Sequence, residues 1–260
     1  MEKNIAPQSV IAYLSTVETY DASTQRLYPF RRGTDVIEGH AVPVGNMVGG
    51  FPMELCGVNF HGSEQAYIAM AFSDGSERHL TIQQALVEQT NGFMAKKKER
   101  RFNEDCIRED WRDGWNFMAM LWVVWNKCMS NAEFRNVLLS LPSDCVIIEN
   151  SSYMNGTTSS IWGAKNMVER KLSREYAKEL KTQGLGKAAI KRALDEKRLG
   201  EWRKVGCFVG KNVMGKILML CRDALRNGIE PPIDYILLQS KHIHLLGKEI
   251  DFGHGLQEAA

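Results

Sequence analysis

The run Trp115 to Trp125 (WNFMAMLWVVW) does most to limit what this chain can become. It is apolar around a whole helical circumference, so it cannot lie with one face in water. Asn116 interrupts it, and it is about half as long as the roughly 20 residues that span a bilayer. A helix over Asp113 to Met129 is therefore expected at the centre of a folded core. With 260 residues, 44% of them hydrophobic and 25% charged, the chain has material enough to surround such a helix. The N-terminal residues (MEKNIAPQSVIAYL) lack the basic start, apolar run and cleavage site of a signal peptide. Six cysteines are scattered with no C-x-x-C pair, which favours reduced structural thiols over disulfides or zinc. Both points set the expectation of a cytoplasmic protein with no membrane partner.

Around that helix the pattern is mixed. Residues 1 to about 60 alternate short apolar runs with Gly and Pro, which reads as strands and loops. Ser63 is expected to cap a helix that carries Ala66, Tyr67, Met70 and Ala71 at helical spacing. Thr81 is expected to cap a second helix, stopping at Asn91-Gly92. Asn131 should cap the segment AEFRNVLLSL, which Pro142 ends, and Val146 to Glu149 should form a short buried strand. Asn212 to Arg226 reads as the last strong helix, and Tyr235 to Leu238 as a further strand. The expected class is α+β and mostly helical: a single domain with a small sheet and an inserted basic helical hairpin.

The hairpin is marked by charge. Lys165 to Lys204 holds 13 Lys/Arg against 6 Asp/Glu, a net of +7, which leaves a net of −5 on the rest of a chain whose total is +2. Its helical propensity breaks at Gly184 to Gly186. Two readings stand side by side. In one, Lys187, Lys191 and Arg192 hold a phosphate backbone by displacing its condensed counterions. In the other, the hairpin is a solvated element whose charges pair at i, i+4 spacing. A second cluster, Lys96 to Lys98 with Arg100 and Arg101, reads as a solvated helix end.

A set of short pieces recurs in a specific order: Gly45-Asn46-Met47, then Phe60-His61-Gly62-Ser63-Glu64-Gln65-Ala66-Tyr67 with Ala69 to Phe72. After these come Val146 to Glu149, Ile161-Trp162-Gly163, and Gly210-Lys211-Asn212 with Gly215, leading into Leu218-Met219. This order resembles the NADAR family of domains associated with NAD and ADP-ribose, over roughly residues 40 to 228 less the insertion at about 165–204. Residues 1–39 then form an N-terminal extension and 229–260 a C-terminal tail. The resemblance implies a compact pocket and hydrolysis of an N-glycosidic bond, with no cofactor. One branch of the family acts on phosphorylated riboflavin-pathway intermediates. Another removes ADP-ribose from guanine, undoing the work of a DNA-modifying ADP-ribosyltransferase toxin.

Cleaving a ribose–base bond builds positive charge at the anomeric carbon, which a fixed carboxylate stabilises. Alone, Glu64 is an ordinary helix-start acid, favoured there by the helix dipole; within the matched motif it is read as the catalytic residue. The same motif assigns substrate binding to Asn46, Tyr67, Glu149, Trp162, Gly163, Lys211 and Asn212. Each has a plainer reading. Asn46 suits a turn, Trp162 a core, Glu149 a strand end and Asn212 a helix cap. Lys211 beside a helix start suits phosphate. Two departures are visible: Ser159-Ser160-Ile161 stands where the family often carries an acid before Trp-Gly, and Met47 replaces a usual aromatic. His242 and His244 have no further ligands in reach of a metal pattern, so no metal is expected.

The leading expectation is an N-glycosidase that releases ADP-ribose from guanine in DNA or nucleotides, antitoxin-like and paired genetically with an ADP-ribosyltransferase toxin. The alternatives are cleavage of riboflavin-pathway intermediates and non-catalytic binding of ADP-ribose or NAD.

Overall fold

The computed structural model describes residues 5–101, 103–155 and 159–253. In chain order the helices are α1 (Val10–Ser15), α2 (Ser63–Ala71), α3 (Glu77–Glu88), α4 (Gly92–Met94), α5 (Trp115–Ser130) and α6 (Ala132–Ser140). They continue with α7 (Ser159–Trp162), α8 (Met167–Thr182), α9 (Lys187–Leu199), α10 (Val213–Asn227) and α11 (Tyr235–Gln239). The strands are short: β1 (Glu18–Asp21), β2 (Leu27–Phe30), β3 (Val36–Ile37), β4 (His40–Ala41), β5 (Met53–Leu55) and β6 (Val58–Phe60). After them come β7 (Val146–Glu149), β8 (Lys165–Asn166), β9 (Cys207–Gly210), β10 (His244–Leu245) and β11 (Lys248–Glu249). The fold is α+β and mostly helical, with several small sheets instead of one large one.

The chain gathers into two compact units. The first comprises Met1–Leu14, Asn46–Leu139 and Leu220–Ala260; the second comprises Ser15–Gly45 and Ser140–Met219.

In the first unit α5 is the buried helix its composition demands, with Trp115 and every residue from Phe117 to Val124 inside. It begins at Gly114, whose φ of 98° only glycine adopts freely, so the helix starts two residues later than expected. Helix α2 is buried on all sides, all nine of its residues included. Short side chains such as Ala66, Ala69 and Ala71 let neighbouring elements close around it. Several expected caps shift. The N-cap of α2 is Gly62, not Ser63, and Ser63 turns inward. The cap of α3 is Ser76, whose Oγ accepts from His79 N at 3.3 Å, whereas Thr81 sits inside the helix and donates to Glu77 O. Helix α3 ends at Glu88, and Asn91 caps α4 through Met94 N at 3.1 Å. Asn131 caps α6 as expected, accepting from Phe134 N at 2.9 Å.

Two segments expected as extended are helical. Pro7 opens a 3-10 turn that leads into α1, which buries Val10 and Leu14 four residues apart. Tyr235 to Gln239 is helix α11, because Asp234 accepts from Leu237 N at 2.9 Å and so satisfies a free donor of the first turn. In both cases a local start signal outweighs the β-propensity of the side chains.

In the second unit β7 forms where expected and runs parallel to β2, with Leu27 opposite Val146 and Phe30 opposite Glu149. The three-stranded sheet β1-β9-β8 is antiparallel. The basic segment folds as the expected hairpin, α8 and α9, joined through residues 183–186. Asn166 starts it, accepting from Val168 N and Glu169 N at 3.1 Å and donating to Val205 O at 2.7 Å. All six cysteines are free thiols. Among the described residues no helix is long and apolar enough to cross a membrane.

Candidate active site

Glu64 occupies the first turn of α2 and is only 4% exposed. Burying a carboxylate without partners is costly. Here the partner is Asn46, whose side-chain amide Nδ2 donates to Glu64 Oε2. The other end of that amide, Asn46 Oδ1, is buried and has no hydrogen-bond partner among the described residues. Gly92 backs the pair. A Cβ placed on it would lie 3.1 Å from Glu64 Cβ, so a side chain there would press on Glu64, while Met47 Cα at 3.5 Å would be in ordinary contact. Gln65 ties the same turn down by donating to Gln89 O at 2.8 Å. The two motif pieces around Asn46 and Glu64 are thus joined, and they are joined at their polar ends.

One contributor was not anticipated. Lys127, in the last turn of α5, is almost fully buried. Its Nζ donates to Ser63 Oγ at 3.2 Å and lies over the Phe134 ring at 4.0 Å and the Phe51 ring at 5.2 Å. Ser63 Oγ in turn lies 3.4 Å from Asn46 O. Lys127, Ser63, Asn46 and Glu64 therefore form one run of contacts, each group giving a hydrogen to the next. Burial pushes the Lys127 ammonium down to about 7, with only weak compensation from Cys128. Its signal in the sequence was a lone cation within an otherwise apolar helix.

Tyr67 stands three residues beyond Glu64, but its ring packs on Trp111 at 5.2 Å. Burial raises the phenol well above its ordinary range, against the opposing pull of Arg100, and Glu64 adds to the rise. It stays neutral and belongs to the core packing of α2.

The remaining motif residues lie in the second unit. Asn212 is buried with a left-handed backbone, φ 51°. Its Oδ1 accepts from Glu149 N at 3.0 Å and its Nδ2 donates to Ile147 O at 2.8 Å, so the side chain bonds β7 as a neighbouring strand would. It stands directly before α10, tying the start of that helix to β7. Glu149 is half-buried, and its carbonyl accepts from Ala164 N at 2.9 Å. Gly163 is a close-approach glycine: a Cβ there would meet Glu149 O at 2.2 Å and Ser151 Oγ at 2.3 Å. Gly215 is another, with Ile147 O at 2.2 Å from the same point. The structure thus brings Glu149, Gly163 and Asn212 together as backbone architecture. Trp162 and Lys211 are half-buried beside them in sequence. Lys187, Lys191 and Arg192 are exposed on α9. The side chains of Ser159 and Ser160, just before Ile161-Trp162-Gly163, lie outside the described residues, as do residues 254–260 of the tail.

Among the described residues no group of three or more His, Cys, Asp and Glu is placed to hold a metal ion. His242 pairs with Glu249 at 2.8 Å on the surface, and His244 Nδ1 lies 3.0 Å from His242 O.

No protein-family model matches this sequence. No curated protein is significantly similar to it. Among solved structures, an NMR structure of the E. coli protein YbiA is similar at 18% identity and a TM-score of 0.48, covering 80% of this chain and 93% of that one.

Proposed function

We propose that this chain is an N-glycosidase of the NADAR type that hydrolyses the bond between ADP-ribose and a guanine base, in DNA or in its nucleotide products. The observation that carries the reading is the Asn46–Glu64 pair: a buried carboxylate bonded through one oxygen, beside a buried amide oxygen with no partner among the described residues. An unpartnered buried acceptor costs free energy in the empty protein and is repaid when a ligand donor arrives. A ribose hydroxyl is such a donor. With it bound to Asn46 Oδ1, Glu64 faces the developing oxocarbenium charge. Water adds at the anomeric carbon, the C–N bond breaks, and the base leaves with the bonding pair and takes up a proton. Lys127 acts through Ser63, fixing the turn that carries Glu64. The roles of Lys211 at phosphate, of Trp162 and Glu149 at the ribose or base, and of a toxin as genetic partner enter from the ordered motif alone.

The test is release of ADP-ribose from a guanine-modified oligonucleotide. Glu64→Gln keeps size and hydrogen bonding while removing the charge, and a rate loss of about a hundredfold or more is expected. A Glu64→Gln variant with full rate would defeat the assignment. Stoichiometric binding of ADP-ribose without turnover would favour a non-catalytic reader instead.

A further inference from the structure

The hairpin has two sides of opposite character. Its inner side is bonded to the rest of the unit at several points. The Glu169 carboxylate accepts from Asn150 Nδ2 at 3.0 Å and from Tyr153 OH at 2.8 Å, and that hydroxyl also meets Ser173 Oγ at 2.7 Å. Leu180 is buried, and Tyr176 packs edge-on against Trp202 with ring centres 5.8 Å apart. Helix α9 is pinned by Arg198, whose guanidinium donates to both oxygens of Asp35 at 2.7 and 3.1 Å, with both side chains almost fully buried. Arg32 adds an ion pair to Asp195. This is a fixed arm, not a loose charged loop.

The outer side of α8 is left cationic. Arg170, Arg174 and Lys178 follow one another at i, i+4 and i+8, with Lys171 alongside. Together with Met167 and Glu175 they line an open groove of about 230 Å³. Among the described residues Lys171, Arg174 and Lys178 make no ion pair or hydrogen bond, and Arg170 donates to Asn155 Oδ1 at 2.9 Å. On α9, by contrast, Lys197 is neutralised by Glu201 at 3.0 Å and Arg198 is buried. Like charges four residues apart destabilise a helix. A row of them on a rigid support makes physical sense when a polyanion lies along it. Four residues rise about 6 Å along a helix axis, a step of the same order as that between successive phosphates of an extended strand.

We propose that the outer face of α8, more than the tip of α9, is the nucleic-acid contact of this protein, with the phosphodiester backbone running along Arg170, Lys171, Arg174 and Lys178. A membrane surface fits less well. Only Met167 and Val168 on α8 are large exposed apolar residues, both at its start, which is too little to bury in an acyl layer. A lone diphosphate would occupy one part of a row that extends over two helical turns. The inference rests on the N-glycosidase reading only for making the strand a carrier of the substrate; binding itself does not need catalysis.

The experiment measures anisotropy of a fluorescein-labelled DNA oligonucleotide with the full chain across a salt series. Wild-type binding is expected to weaken steeply with salt. Arg170→Gln/Arg174→Gln/Lys178→Gln should weaken it at least tenfold at low salt and reduce the log–log salt slope by about 2 to 3, roughly 1 for each phosphate contact. Lys187→Gln/Lys191→Gln/Arg192→Gln should change either quantity much less. Circular dichroism of each variant, expected to match wild type, checks that these surface changes leave the fold intact. Equal losses in the two triples, loss in the α9 triple alone, or salt-insensitive binding overturns the proposal. So does tighter binding to phosphatidylserine vesicles than to DNA. Glu64→Gln should bind the oligonucleotide as wild type does. If DNA binding maps to α8 but no variant or wild type releases ADP-ribose, the N-glycosidase reading falls and this one stands.

Discussion

The two units differ in how the buried amides along the matched pieces are paired, although the second also holds one unpaired buried nitrogen, Arg198 Nε, among the described residues. In the second, Asn150, Asn166 and Asn212 spend both ends of their amides on named partners, and Glu169 accepts from two donors. In the first, Glu64 is buried against Asn46, Asn46 Oδ1 is left without a partner, and Lys127 sits where its charge is poorly tolerated. A satisfied network fixes a backbone and specifies one arrangement. An unsatisfied acceptor beside a buried carboxylate costs stability and is kept where something else must bind. The motif therefore contains residues of two kinds. Substitutions in the second unit should act on stability first, and those around Glu64 on activity first.

The largest effect tests the architectural half. Gly215→Ala drives a Cβ to 2.2 Å from Ile147 O, a backbone atom that cannot swing away. A loss of more than about 3 kcal/mol is expected, seen as a lowered urea midpoint or as failure to fold. Asn212→Ala follows at about 2–4 kcal/mol, since two buried bonds to β7 disappear. Asn212→Gly should be milder by about 1 kcal/mol, because glycine accepts the φ of 51°. If Asn212→Gly is fully stable yet inactive, Asn212 belongs with the binding residues and the comparison fails. Asn46→Ala is the converse case. It strips the buried Glu64 carboxylate of its partner while also removing a stranded neutral acceptor, so a net loss of about 1–2 kcal/mol, smaller than at Asn212, is expected. The rate should nonetheless fall more than tenfold.

The sequence made the central helix legible because ten apolar residues among eleven admit one environment. The hairpin was equally plain, since charge and a glycine break mark it. Caps were read poorly. Ser63 and Thr81 are both residue types that begin helices, yet each finds a better partner elsewhere: Asn46 O and Lys127 for Ser63, and the Glu77 carbonyl for Thr81. Such choices depend on contacts far apart in the chain, which spacing does not encode. At the site, the pieces that carry Asn46 and Glu64 meet in space, a contact that their order in the sequence did not state. That order gave no means of telling that Gly163, Gly215 and Asn212 serve the backbone. Lys127 went unnoticed because a helix read as wholly apolar invites no question about its one cation.

That cation gives the subtlest prediction. Lys127 titrates near 7 in the folded protein and near its ordinary value of about 10.4 when unfolded. Between those values the unfolded chain holds a proton that the folded one has released, so this group makes stability rise with pH across the window from about 7 to 10. Below about 7 both states carry the charge, and the folded state bears the full cost of burying it. Lys127→Met removes the term while filling the same space between Phe51 and Phe134. Denaturation midpoints of the two proteins, compared by their difference so that other titrating groups cancel, should show the variant relatively more stable at pH 6. That advantage should shrink by about 1.4 kcal/mol for each pH unit between about 7 and 10. A pH-independent difference would mean that the Lys127 ammonium stays charged throughout. Ser63 would then accept from a permanent cation, and the first unit would hold its charges as firmly as the second holds its amides.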